Sequence, residues 1–189
     1  MYLPSIGKDE INILPVARFE GKVSLITTAD QVNSVFEEIQ NSTVLGFDTE
    51  TRPSFKKGRK NKVALLQLAT DENAWLFRLD VVGLPTKILR ILENPEIAKV
   101  GVAIRDDLIK IKELRRFAPE GFIELADFVK QFDIQDNGLR KLAANILKIK
   151  ISKSQQLSNW EAPDYSPSQI QYAATDAWAC FEIYQQLRA

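Results

Sequence analysis

Asp48 and Glu50 stand two residues apart at the end of a short apolar run, 44–47. Such a run reads as a central strand. Strand residues at i and i+2 share a face, so both carboxylates project together from the sheet. Two unpaired carboxylates side by side repel and raise one another's pKa. A divalent cation relieves that conflict, and hard oxygen donors suit Mg2+ or Mn2+. An exposed acidic turn is the alternative reading of this tripeptide alone. Near the C-terminus, Tyr172 and Asp176 are four residues apart. In a helix they lie on one face about a turn apart, and Ala173 and Ala174 between them permit close approach to a sheet. A solvated Asp beside a half-buried Tyr fits that motif equally well. Asp106 and Asp107 follow a second apolar run, 99–104, and strand carboxyl ends are where α/β sheets place ligands. Asp106 reads as a helix N-cap and Asp107 as a first-turn residue favoured by the helix dipole. Spacing leaves open which of the two faces a site.

Taken together, the three sites supply about the four carboxylates that a two-metal phosphoryl-transfer centre needs, with ions roughly 3.5–4 Å apart. Composition narrows the alternatives. The 189 residues contain no histidine, which removes Ser-His-Asp and Cys-His catalysis and the common zinc sites. The single cysteine, Cys180, excludes an intramolecular disulfide and fits a reducing compartment. The net charge is zero and the pI about 6.4, so any electropositive surface must be local. Residues 1–10 lack a basic start followed by an apolar run, and no apolar stretch approaches ~18 residues. Neither a secretory signal nor a membrane span is expected, and the expected compartment is the cytoplasm, or the nucleoplasm of a eukaryote.

The elements that must position these residues follow from periodicity. Residues 1–21 read as an arm interrupted by Pro4, Gly7 and Pro15, and 22–189 as one domain. A strand is predicted over 23–27, then a helix from the Thr28/Gln31 capping box to about Gln40. Residues 63–69 and 74–77 read as a hairpin turning at Asp71–Asn73. A helical pattern covers 84–92. The strand 99–104 is followed by a helix from Asp107 to about Phe117. A strand at 122–126 and a helix at 138–147 come next. Ser166-Pro167-Ser168-Gln169 combines a serine cap, proline at the first helical position and glutamine three residues on, and opens a last helix to about Leu187. This order argues for an α/β domain with a mixed sheet.

Three segments resemble the exonuclease motifs of the DEDDy family: Phe47-Asp48-Thr49-Glu50, then residues 100–107, then Tyr172-Ala173-Ala174-Thr175-Asp176-Ala177. The chain resembles the Werner-syndrome-type exonuclease domain and, more distantly, ribonuclease D. Leu65-Leu66-Gln67-Leu68, Gly138-Leu139-Arg140-Lys141-Leu142, Lys153-Ser154 and Ser158-Asn159-Trp160 support the resemblance, which spans about 22–187. It implies an RNase H-like mixed β-sheet flanked by helices and 3′→5′ exonuclease activity. It also implies two divalent cations, Mg2+ or Mn2+. In that reading Asp48, Glu50 and Asp176 hold the catalytic metal, with Asp48 bridging to the second, and Asp107 supports the second metal. Tyr172 orients the attacking water, where the sister DEDDh group uses a histidine. DNA or RNA 3′ ends are the implied substrates, while a partner helicase or other repair protein stays unidentified.

Thr49 and the basic run Lys56, Lys57, Arg59 and Lys60, with Lys62, are candidate substrate contacts at the mouth of the site; a solvated loop is the bland reading of the run. Lys148, Lys150 and Lys153 form a weaker basic stretch. Trp160, Trp178, Phe47 and Phe55 are candidates for base stacking, with Trp178 and Phe47 also reading as core. Two other classes compete with the exonuclease: a non-catalytic nucleic-acid or protein-binding module, and a Mg2+-dependent phosphohydrolase of free nucleotides. The chain ends at Ala189, just past the third motif, so neither a helicase segment nor a C-terminal helical domain is expected.

Overall fold

Around the turn at Asp71–Glu72, residues 63–69 and 73–78 pair antiparallel, as the two apolar runs predict. The computed structural model describes residues 2–54, 58 and 61–189. In chain order the elements are α1 (Lys8–Asn12), β1 (Lys22–Ile26), α2 (Ala29–Gln40), β2 (Val44–Thr51), β3 (Val63–Ala69), β4 (Asn73–Arg78), α3 (Leu79–Val82), α4 (Thr86–Leu92), β5 (Ala98–Gly101), α5 (Ile104–Leu114), β6 (Phe122–Glu124), α6 (Leu125–Phe128), α7 (Leu139–Leu142) and α8 (Pro167–Arg188). The strands form one mixed sheet in the order β1-β4-β3-β2-β5-β6. β2, β3 and β4 run antiparallel to their neighbours among themselves, whereas β1, β5 and β6 join in parallel. Among the described residues no helix is long and apolar enough to cross a membrane.

Helices cover both faces of the sheet. Val32, Phe36 and Ile39 of α2 and Ile88 and Leu92 of α4 pack with Leu45, Phe47, Leu66 and Leu68 on one face. α8 lies on the other, where Ala173, Ala174 and Ala177 meet Leu65, Ala69 and Leu76. Coverage on both sides explains why every residue of β3 is buried and no polar alternation marks it. The two strongest helix signals hold. Thr28 accepts from the Gln31 amide and Ser166 from the Gln169 amide, each within a capping box.

Gly46 sets the distance between α8 and β2. A Cβ there would lie 1.9 Å from the Ala177 carbonyl oxygen, so the helix rests directly on the strand backbone two residues before Asp48. Gly46→Ala is therefore expected to cost about 3 kcal/mol or more, the upper end for overpacking, because the clash is with backbone. Urea unfolding checks it, and a loss below about 1 kcal/mol would show that α8 can lift without penalty.

Several boundaries differ from the sequence reading. β2 continues through Thr51, so Asp48 and Glu50 lie within the strand rather than after it. The strand expected over 99–104 ends at Gly101, and α5 begins at Ile104. Asp106 is consequently no N-cap. The cap position is Ala103, in the left-handed region at φ 59°, and the free amides of Ala103 and Ile104 donate to the Glu124 carboxylate at 3.1 and 2.9 Å. A cap supplied from twenty residues away carries no local signal. α5 stops at Leu114, short of Phe117. Leu125 opens a helix where a strand was expected to continue, and 143–147 form a π-helical turn after α7. Trp160 is fully buried, in edge-to-face contact with Tyr165, and cannot stack on bases; Phe47 is buried and Trp178 half-buried.

The arm also contains α1, which the sequence reading does not anticipate; α1 buries no residue, and the segments on either side of it are tied to the rest of the chain. Asn145 exchanges two hydrogen bonds with the Leu3 backbone, and Asp136 accepts from Ser5 and the Ile6 amide. Ala17 and Lys150 bond across a parallel bridge, and Phe19 is buried.

Candidate active site

β5 pairs with β2 only from Val44 to Gly46, so beyond that point one edge of β2 is open. Asp48 and Glu50 lie on this free stretch, at the carboxyl end of the parallel pair. Ala177 on Gly46 brings the preceding residue of α8, Asp176, over them. One oxygen from each of Asp48, Glu50 and Asp176 lies within 4.8 Å of the others. The register between β2 and β3 shifts after Glu50. Bulges of this kind re-aim side chains and are common beside active sites.

Asp107 joins from the first turn of α5. It is half-buried and accepts a 2.6 Å hydrogen bond from the Thr49 hydroxyl. Thr49 is itself buried, with its hydroxyl donated to Asp107. Asp106 is exposed. The structure thus brings Asp107, and not Asp106, to the acidic centre. Tyr172 sits one turn before Asp176, half-buried, with its ring 6.1 Å from that of Trp160. Lys56, Lys57, Arg59, Lys60 and Phe55 lie outside the described residues.

The charges of this centre oppose one another. Burial, then the carboxylates of Asp176 and Asp107, hold Asp48 well above the usual carboxylate range. Burial, then Asp48 and Asp176, push Glu50 up to about 10. Burial raises Asp176 to about 7 against a hydrogen-bonding contact from Tyr172 and the charge of Arg140. Asp107 rises to about 6, again through burial, with the Thr49 hydroxyl and Lys110 pulling it back. Burial and the Asp176 and Glu50 charges raise Tyr172, so its phenol stays protonated.

A divalent cation fits this donor set. Three carboxylates converge, all ligands are oxygen, and the groups are unstable as anions without a counter-charge. The sign of the resulting pH dependence is fixed. These acids hold protons in the folded state that the unfolded chain releases near pH 4, so stability falls as pH rises through the folded values. Metal-free protein is expected to melt at a higher temperature near pH 5 than near pH 8, and saturating Mn2+ should narrow that gap by binding the ionised form. Thermal melts in chelator across that range test this; a melting temperature that rises towards pH 8 would contradict it.

Other residues at the site escaped the sequence reading. Lys110 lies one turn after Asp107 and draws Asp48, Glu50 and Asp107 down; the i, i+3 spacing was a usable signal. Gln67, noted only within a resembling strand, is the cross-strand neighbour of Asp48. It is fully buried, and among the described residues neither amide atom has a partner. Arg78 holds the loop before α8: it donates to the Ala162 and Pro163 carbonyls at 2.9 and 3.0 Å and lies 4.2 Å over the Tyr165 ring. Tyr165 in turn donates to the Trp160 carbonyl at 2.6 Å, which fixes the ring beside Tyr172. Nothing local in the sequence connects Arg78 to this site.

The geometry has counterparts in known proteins. A family model described as 3′-5′ exonuclease matches residues 23–189. The mouse bifunctional 3′-5′ exonuclease/ATP-dependent helicase WRN is 33% identical over 187 residues, which cover 92% of this chain but 13% of the mouse protein. The EXO domain of Aedes aegypti Nibbler superposes with a TM-score of 0.81 at 21% identity, covering 92% of this chain and 91% of that one. Escherichia coli RNase D, an exoribonuclease involved in structured RNA processing, gives 0.78 at 24% identity, covering 88% and 44%. The fold is RNase H-like.

Proposed function

The chain belongs to the 3′-5′ exonuclease family, and from that premise we propose that it shortens nucleic-acid strands from their 3′ ends by metal-dependent hydrolysis. The observation that supports this most is the convergence of Asp48, Glu50 and Asp176 within 4.8 Å at an open strand edge. In this reading 22–189 is the catalytic domain and 1–21 an arm packed on it. Water attacks the terminal phosphorus, the bond from phosphorus to the preceding 3′-oxygen breaks, and the strand leaves with a 3′-hydroxyl. The terminal residue departs as a nucleoside 5′-monophosphate.

Asp48, Glu50 and Asp176 would hold one divalent cation, Mg2+ or Mn2+, and Asp48 and Asp107 would support a second. Bound cations of this kind lower the pKa of water and neutralise charge building on the phosphoryl and leaving oxygens. Tyr172 keeps its proton at neutral pH, so it orients the attacking water by hydrogen bonding and does not act as a base. The Trp160 ring beside it, anchored through Tyr165 and Arg78, limits its movement. Thr49 keeps Asp107 aimed at the centre. Lys56, Lys57, Arg59 and Lys60 are proposed to contact substrate phosphates. DNA and RNA both present the bond that is cut.

The test is a gel assay with 5′-labelled single-stranded RNA and 3′-recessed duplex DNA, in Mg2+, Mn2+ or chelator. The expected result is a cation-dependent ladder shortening from the 3′ end, with mononucleotides as product. Internal cuts, or no cleavage of either polymer in either cation, would overturn the reading.

A further inference from the structure

The backbone on either side of Arg18 is fixed. The Ala17 amide donates to the Lys150 carbonyl at 3.0 Å. The Phe19 amide donates to the Thr175 hydroxyl at 3.1 Å, and Gln171 donates to the Phe19 carbonyl at 2.6 Å. Thr175 and Gln171 are the sequence neighbours of Asp176 and Tyr172, so the arm is tied to the same turns of α8 that carry the site. Phe19 is 3% exposed and serves as the anchor.

Between this arm and the start of α8 lies a cavity of about 320 Å3. Tyr172 and Asp176 form one wall, and Arg18, Ser152 and Ser154 line it as well. Its size falls within the range of ligand sites, roughly 300–1,000 Å3. Arg18 is exposed, and among the described residues no carboxylate pairs with it. A strand whose 3′ end enters the acidic centre is itself a polyanion, on a chain of zero net charge. It needs a local cation at the approach, and a guanidinium suits a phosphate's paired oxygens. The family match begins at residue 23, after Arg18.

We propose that the arm is part of the substrate site, with Arg18 gripping a phosphate of the nucleic-acid strand beside the terminal nucleotide. This rests on the exonuclease reading. Because both flanking residues are pinned, the arginine reaches the cavity from a fixed backbone and little ordering is required on binding. Arg18 is a substrate-binding residue here, and its loss acts on KM.

The experiment is fluorescence anisotropy of a 5′-fluorescein DNA oligonucleotide and its RNA counterpart, with Ca2+ replacing the catalytic cation, across a series of KCl concentrations. Wild type, Arg18→Ala and Arg18→Lys are compared, with thermal melts as the folding control. Arg18→Ala is expected to weaken binding about tenfold and to reduce the slope of log affinity against log salt by about 0.7, one phosphate contact on a single strand. Arg18→Lys should keep most of that slope at lower affinity. Binding by Arg18→Ala within about twofold of wild type, with the same slope, would overturn the proposal while leaving the exonuclease reading standing. Failure of the wild type to bind either strand would overturn both.

Discussion

Asp48→Asn is expected to reduce cleavage by about four orders of magnitude and, in the absence of metal, to make the protein more stable. The two effects share one cause. Asp48 is held with Glu50 and Asp176 in a cluster where burial pushes all three carboxyls up and neighbouring carboxylates push Asp48 and Glu50 up further. The amide keeps the side chain's shape and removes one charge. Folding no longer has to bring that charge together with two others, a gain of about 0.5–2 kcal/mol of the kind seen when strained active sites are relaxed. The same change removes the ligand proposed to face both cations. Melts in chelator near pH 8 and initial rates in Mn2+ separate the two effects. A variant that melts lower than wild type, or one that retains near-normal rates, would contradict the account.

The second large effect separates two adjacent residues. Asp107→Ala is expected to lower the rate about a hundredfold, whereas Asp106→Ala should stay within about twofold of wild type. Asp107 is half-buried and bonded to the Thr49 hydroxyl at 2.6 Å, and burial raises its carboxyl against the pull of Thr49 and Lys110. Asp106 points to solvent from the same turn. The comparison is well controlled because both substitutions remove one acidic side chain from the first turn of α5 and lose the same helix-dipole interaction. Any stability change common to the two is therefore discounted. Rates at saturating substrate, measured for both variants, decide it. The reverse order would transfer the second-cation role to Asp106.

Much of the candidate site was legible because its signals are local. Asp48 and Glu50 share a face by strand alternation, and Tyr172 and Asp176 share one by helical spacing. The Ser166 box announced α8, and the alanines beside Tyr172 announced its close approach to the sheet. What was not legible depends on residues far apart in the chain. Spacing could not choose between Asp106 and Asp107, because the start of α5 is set by Glu124 capping Ala103 and Ile104. The end of β2 was placed too early: apolar periodicity stops at Phe47, but pairing with β3 carries the strand through Thr51. Trp160 looked available for stacking because nothing in its neighbourhood shows that Tyr165 and Arg78 fold the loop over it. The arm lacked any period, yet Asn145, Asp136 and Thr175 each bond to it across more than a hundred residues of sequence.

The most direct test of the central claim is a Mn2+ titration of metal-stripped protein, with bound ion followed by electron paramagnetic resonance and strand shortening measured on the same samples. Occupancy and rate are predicted to rise together in the wild type, with both lost in Asp48→Asn. Full cleavage in chelator, or unchanged Mn2+ binding and cleavage by the variant, would show that this carboxylate cluster is not the centre of the reaction.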